Sequence, residues 1–384
     1  VTPTSTATPE PEPPTATPIA AAPTTTPTPR GDAAESSSGG ESEEDDARQD
    51  SETVGDRSSR RTTTSTPPAT TEPTPRPTET ATETATATAT ATPTLTPAAV
   101  DLVAPGAAKA LITATGIVVP VLAGGPGGWW VFSPCAEVTL ITGDGSTPIT
   151  GTTVMIDPGH GGDETGAVGP NGLIEGDVNL DVAERLLDWL AARDIDAMTT
   201  RTSDYRLAIH ARGELAKAVQ PDLFVSIHHN GGFPEPIDEP GTEIYFQHDN
   251  AESKRLGGLL YDELYRTIEP LDVQWYGNDH RGSQWRLNPE GLDLYGVLRR
   301  PAAAGIVAAL TEATFIETEE EELLLTDPEF LQAEAEAIGR AIERWLTTSD
   351  TPDDEAGGYN EGIVFEGDLG PGGGTDGCVE PELE

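Results

Sequence analysis

From residue 152 to about residue 346 the sequence switches between short β-branched runs and helical stripes, and this alternation restricts its fold most. TVMID at 153–157 is a strand run, and residues 178–192 place Val182, Leu186, Leu187 and Leu190 on one helical stripe. Residues 195–200 are strand-like again. A helical stretch at 205–219 ends at Pro221, and LFVSIH at 223–228 reads as a buried strand. Further strands are expected at 242–247, 292–298 and 306–311, with helices at 252–268 and 327–346. Such a pattern defines an α/β domain, a twisted and mostly parallel sheet with helices on both faces. About 195 residues suffice for one core.

The flanks differ in composition. Residues 1–100 are rich in Thr, Pro and Ser, as in TPTSTATPEPEPPTATP (2–18) and TETATETATATATATPTLTP (78–97), with a polar, charged run from Arg30 to Arg61 between. Such sequence buries too little apolar surface to offset the entropy of ordering it, so a disordered stalk is expected. Ser/Thr/Pro stalks of this kind are often O-glycosylated. Residues 107–148 carry short apolar runs parted by GGPGG and GDGS, which reads as a small all-β module. Two shapes suit it: an SH3-like unit, or a β extension packed on the main domain. Trp129 and Trp130 are either its core or a surface that stacks on a sugar or peptide. Residues 348–384 form an acidic, Gly-rich tail.

The formal net charge of −44 speaks against nucleic-acid binding, which needs a basic face. Only Lys109, Lys217 and Lys254 supply lysine. Cys135 and Cys378 are too far apart for a CxxC motif. They are two buried thiols or, in a secreted chain, one disulfide tying the tail to the module. No apolar run reaches 18 residues. With Val1 first, a leader or anchor is expected to have been removed, placing the chain outside the cell or in the envelope, either free or tethered through its stalk.

All six histidines fall between positions 160 and 280. His160 follows TVMIDPG and His228 closes LFVSI, so both sit at strand ends, where α/β sheets gather ligands. Two histidines and a carboxylate make a recurring catalytic metal set that leaves one position open. Glu175, just before the helix, is the best-placed third ligand, with Asp163 and Glu164 competing by proximity. His229 points away from His228 if the strand continues through both. His210, His248 and His280 read as helix-surface or loop residues. Glu312, after GIVAAL, is positioned to take a proton from an attacking water and pass it to a leaving amine.

Three segments carry a family resemblance. MIDPGHGGDETGAVGPNGLIEGDVNLDVAERL (155–186), LFVSIHHNG (223–231) and LTEATFIET (310–318) resemble the zinc-dependent N-acetylmuramoyl-L-alanine amidases, the amidase_3 family. TRTSDYRLAIHARGELA, GTEIYF and LYGVLRR agree in order, so the resemblance spans roughly 152–347. It implies a six-stranded sheet, zinc held by His160, Glu175 and His228, and Glu312 as the catalytic glutamate. The implied reaction is hydrolysis of the amide between muramic acid and L-alanine in peptidoglycan. A zinc peptidase cutting within the stem peptide, or a degenerate domain that binds wall glycopeptide as a regulator, are the competing readings.

Departures from the family pattern cluster near the implied site. His229 stands where a small residue is usual, which would add a bulky side chain to the cleft rim. Ala313, Thr314, Phe315, Glu317 and Thr318 alter the turn after Glu312, and Lys217 replaces a common Asn. Some family members carry a helical plug that a partner must remove. Only about a dozen residues separate His228 from the strand at 242, so no plug and no obligatory activator are expected, and the chain should act as a monomer.

Overall fold

Strands buried on both faces read as continuous apolar sequence, and the central sheet is built from such strands. In the computed structural model, described here over residues 108–384 apart from 126, 233, 279–280 and 368–372, that sheet has six strands. The stalk at 1–100 and His280 lie outside the described residues.

The chain first forms a five-stranded antiparallel sheet from β1 (Ala110–Ile112), β2 (Val118–Gly125), β3 (Gly128–Phe132), β4 (Val138–Ile141) and β5 (Thr147–Ile149), in the order β4-β3-β2-β1-β5. Then come β6 (Val154–Pro158), α1 (Glu175–Ala191), β7 (Ala197–Thr199), α2 (Ile209–Val219), β8 (Leu223–Asn230), β9 (Glu235–Ile237), β10 (Glu243–Phe246) and α3 (Ala251–Ile268). The remainder is β11 (Trp275–Gly277), β12 (Gly282–Gln284), β13 (Arg286–Leu287), α4 (Gly296–Ala303), β14 (Val307–Phe315), α5 (Glu319–Leu324), α6 (Pro328–Thr347) and β15 (Ile363–Val364). The main sheet runs β12-β10-β14-β8-β6-β7. It is mixed: β10 meets β14 antiparallel, and the other four pairings are parallel.

The period of two along each strand sorts the side chains between two helix layers. Val154, Ile156, Leu223, Val225, Ile227 and Ala309 pack with Leu186, Leu260 and Ile338 of α1, α3 and α6. On the opposite face Met155, Phe224, Ala308 and Leu310 pack with Leu215 of α2 and Leu298 of α4. Ala110 and Val118 of the small sheet join this second layer, and Leu111, Val119 and Val131 close over Tyr205, Leu207 and Ala211. The small sheet is therefore built onto the α/β core. Trp129 packs with that same cluster and fills the space over Gly124 and Gly143.

Two expected elements differ. Instead of a strand at 292–298, the chain enters α4 there: Tyr295 is extended at the N-cap, and Gly296 opens the helix. A short apolar run does not distinguish strand from helix by period. Gly296, Val297, Leu298 and Pro301 form the buried side of α4, and Gly296 sits where a Cβ would strike Ile209. The helix expected from 205 begins at Ile209, because Tyr205 and Leu207 are used to cover the small sheet.

The tail returns along the edge of the main sheet. Tyr359 bridges Ser283, and β15 pairs with β13. Ile209 N–H donates to Gly373 O at 2.9 Å. Cys378 is disulfide-bonded to Cys135, and the Glu380 carboxylate beyond it accepts from Ser133 Oγ and from Cys135 N–H. Among the described residues no helix is long and apolar enough to cross a membrane.

Candidate metal centre

Three ends of structure meet above the carboxyl edge of β6 and β8. The turn after β6 carries His160, the first residue of α1 is Glu175, and β8 carries His228. His160 has φ +58°, in the left-handed region that few non-glycine residues occupy. Its neighbour Gly159 lies against the His228 ring, where an added Cβ would come within 2.1 Å of Cε1. The two imidazoles can approach to 4.8 Å between centroids only because that position lacks a side chain.

Two buried arginines hold this turn. Arg201 is 0% exposed and donates to Pro158 O and Gly159 O at 3.0 Å, and to Gly176 O. Arg212 bonds Asp157 at 2.6 Å, Pro158 O at 2.8 Å and His160 O at 2.8 Å. Burial works against charge on Asp157, but Arg212, Thr200 and Ser226 outweigh it and lower its pKa. Burial and then the charge of Arg212 bring Arg201 down to about 10, still cationic at neutral pH.

Glu175 lies between the histidines. Its Oε2 is 3.2 Å from His160 Nε2, and its Oε1 is 3.1 Å from His228 Nδ1. Facing atoms of the three residues all lie within 4.8 Å of one another. A tetrahedral ion with bonds of about 2.0–2.1 Å keeps its donors roughly 3.3 Å apart, so the nitrogen–oxygen spacings suit a small cation. The donor set of two imidazoles and one carboxylate suits zinc in particular. Ala167 N–H donates to Glu175 Oε2 at 2.9 Å and His229 N–H to Oε1 at 3.2 Å. Burial opposes ionisation of Glu175, but the bonds from His160 and His228 overcome it and hold its pKa well below the usual range. For His160, burial is outweighed by bonds to Glu164 and Glu175, and the pKa rises to about 10. His228 is lowered, first by burial and then, against its bond to Glu175, by the charge on His160.

The competing carboxylates have other partners. Glu164 bonds His160 Nδ1 at 2.8 Å and so orients the ring, leaving Nε2 toward Glu175. Asp163 pairs with Arg206 at 3.0 Å, outside the cluster.

Glu312 lies within β14, not at its end, directly across from His228. With His160 and His228 it lines a cavity of about 240 Å³, together with Arg212, Tyr295 and Val297. Its Oε2 is buried and has no hydrogen-bond partner. Burial, then the charges of Glu175 and Glu243, push its pKa well above the usual range. Glu243 sits opposite Glu312 across the β10–β14 pairing, with Arg286 at 3.7 Å. Local period does not mark Glu243; its sequence signal is its place in GTEIYF, three residues before the strand ends.

His229 corrects the rim expectation. It is 1% exposed and faces the α1–α6 layer, because adjacent strand residues point oppositely. Its ring lies between Asn179 and Glu334. Burial opposes its charge, and Glu334 outweighs that and raises its pKa. In the altered turn, Glu317 accepts from Gly232 N–H, and Thr318 donates to Phe315 O at 3.0 Å. His210 and His248 lie outside the cluster, beside Glu214 and Asp249, and Lys217 is on the surface against Glu214.

An α/β domain whose sheet edge gathers two histidines and a buried glutamate beside a second, half-buried glutamate has the makings of a metal-dependent hydrolase. The Amidase_3 family model, described as N-acetylmuramoyl-L-alanine amidase, matches residues 154–344. The AmiA amidase of Salmonella typhimurium is 31% identical over 242 residues, covering 54% of this chain and 82% of that protein. The protein YqiI of Bacillus subtilis is 40% identical over 142 residues, covering 36% of this chain and 64% of that protein, under two thirds of its length. Among solved structures, the AmiC2 amidase of Nostoc punctiforme is 30% identical with a TM-score of 0.42, covering 50% of this chain and 96% of that one. The chain belongs to the N-acetylmuramoyl-L-alanine amidase family.

Replacing Arg201 with Met removes its bonds to the carbonyls of Pro158, Gly159 and Gly176, of which Pro158 O keeps Arg212 and Gly159 O keeps Asn179, and should cost about 3 kcal/mol or more in urea denaturation. An unchanged unfolding midpoint would contradict the clamp assigned to this residue.

Proposed function

We propose that this protein is a zinc-dependent amidase that hydrolyses the bond between N-acetylmuramic acid and L-alanine in peptidoglycan. The observation that carries the reading is the convergence of His160, Glu175 and His228, the two histidines lining one cavity with Glu312, whose Oε2 is buried and unpartnered. His160 Nε2, a Glu175 carboxylate oxygen and His228 Nδ1 are the atoms that would hold the ion. When bound, zinc supplies Lewis-acid polarisation of the scissile carbonyl and acidifies a water.

The chain's own residues do the rest. Glu312 accepts the proton of the attacking water at its free Oε2 and returns it to the leaving L-alanine nitrogen. Glu164 keeps the His160 ring oriented, and the Arg201–Arg212 clamp keeps the turn in place. Tyr295, Val297 and Ile209 give the cavity an apolar wall on the α2–α4 side.

The disulfide between Cys135 and Cys378 supports a site of action outside the cytoplasm, in the cell envelope or beyond it. The composition of residues 1–100 suits a spacer between an anchor and the enzyme. The link from β8 to β10 contains β9, paired with β11, and no helix among its described residues.

The full chain with zinc should release stem peptides from purified peptidoglycan with no added protein, and mass spectrometry should find free L-alanine amino termini. Fragments cut within the stem would replace this reading with the peptidase. Glu312→Gln should lower turnover by about 10²–10⁴-fold and keep its metal. Turnover within twofold of wild type would contradict the role of Glu312.

A pH profile tests the neighbouring charge. Glu312 must be ionised to act as base, so kcat/KM should fall as pH drops through its raised pKa. Glu243→Gln removes a negative charge that raises that pKa, and should move the acid limb to lower pH. A limb that stays in place would show that Glu243 does not act on Glu312.

A further inference from the structure

His229 Nδ1 lies 2.8 Å from Asn179 Oδ1, so the ring N–H donates to the amide oxygen. This leaves the Asn179 amide nitrogen turned the other way. It donates to Glu175 Oε1 at 3.3 Å and to Gly159 O at 3.4 Å. Asn179 stands one helical turn after Glu175, on the same face of α1. The far side of the imidazole meets Glu334, with Nε2 hydrogen-bonded to Oε2 at 3.3 Å and 3.2 Å from Oε1, and both side chains are 0% exposed. A continuous chain of polar groups therefore runs from Glu334 in α6 through His229 and Asn179 to Glu175.

A terminal amide can present either its nitrogen or its oxygen to a neighbour. The nitrogen holds a carboxylate, whereas the oxygen would repel it. We propose that His229, braced by Glu334, is a positioning residue that locks Asn179 with its N–H groups toward Glu175 and so aims that carboxylate at the metal. The proposal rests on the reading of His160, Glu175 and His228 as ligands. Partners of this kind behind a ligand typically change metal affinity by about 10–100-fold.

The test separates this role from mere filling of the core. In His229→Asn the side-chain nitrogen takes the place of Nδ1 and can still donate to Asn179. In His229→Gln it takes the place of Nε2, reaches Glu334 and leaves Asn179 free to turn. Zinc affinity is measured on the full chain by competition with a chromogenic chelator, beside the melting temperature of the metal-free protein. His229→Asn should stay within about threefold of wild type, and His229→Gln should lose about tenfold or more. Equal affinities for the two variants would overturn the proposal. If neither folds, the isosteric Asn179→Asp puts an oxygen against Glu175 and should lose about tenfold or more, an unchanged affinity again overturning it. Wild-type protein that takes up no zinc would instead refute the metal reading itself.

Discussion

A carboxylate buried to 3% exposure must be held by donors or by a cation, and Glu175 has partners of both kinds around it. Backbone N–H groups of Ala167 and His229 and the amide of Asn179 grip its oxygens, and the rings of His160 and His228 flank it. Much of the surrounding architecture serves that one group. α1 begins at Glu175, so the carboxylate is fixed by the start of a helix whose Val182 and Leu186 are locked in the core. The His160 turn is fixed from below by Arg201 and Arg212, whose own charges are balanced by Asp157 and by carbonyl oxygens.

The pleat of the sheet assigns the remaining roles. His228 and Glu312 stand opposite each other on β8 and β14, and Glu243 stands opposite Glu312 on β10. One face of the sheet thus brings His228 and Glu312 to the cavity, with Glu243 buried next to Glu312. One residue along, the other face carries His229 into the α1–α6 layer. Two adjacent histidines of identical chemistry are separated by strand geometry alone.

The alternation of strand and helix, and the strand ends bearing His160 and His228, were legible because they rest on local period and on a rule for α/β sheets. The resemblance supplied the choice of Glu175 over Glu164, which differ by how the loop folds back. Glu164 turned to the outer nitrogen of His160, a contact that no spacing announces. The partners of His229 were hidden because Glu334 lies 105 residues away and meets it only through tertiary packing. The strand expected at 292–298 failed for a different reason. LDLYGVL fits either period, and a helix from Gly296 is what buries Val297, Leu298 and Pro301. The union of the small sheet with the main core was one of two shapes left open, since Ala110 and Val118 look like any short strand until Leu215 packs on them.

Metal content is the most direct measure of this account. Zinc bound per chain is determined for purified wild type, His160→Ala, His228→Ala and His229→Ala. Wild type should hold one zinc, the first two variants should retain none after dialysis, and the third should show weakened but measurable binding. Zinc lost from His229→Ala but kept by His228→Ala would contradict the assignment of the ligands.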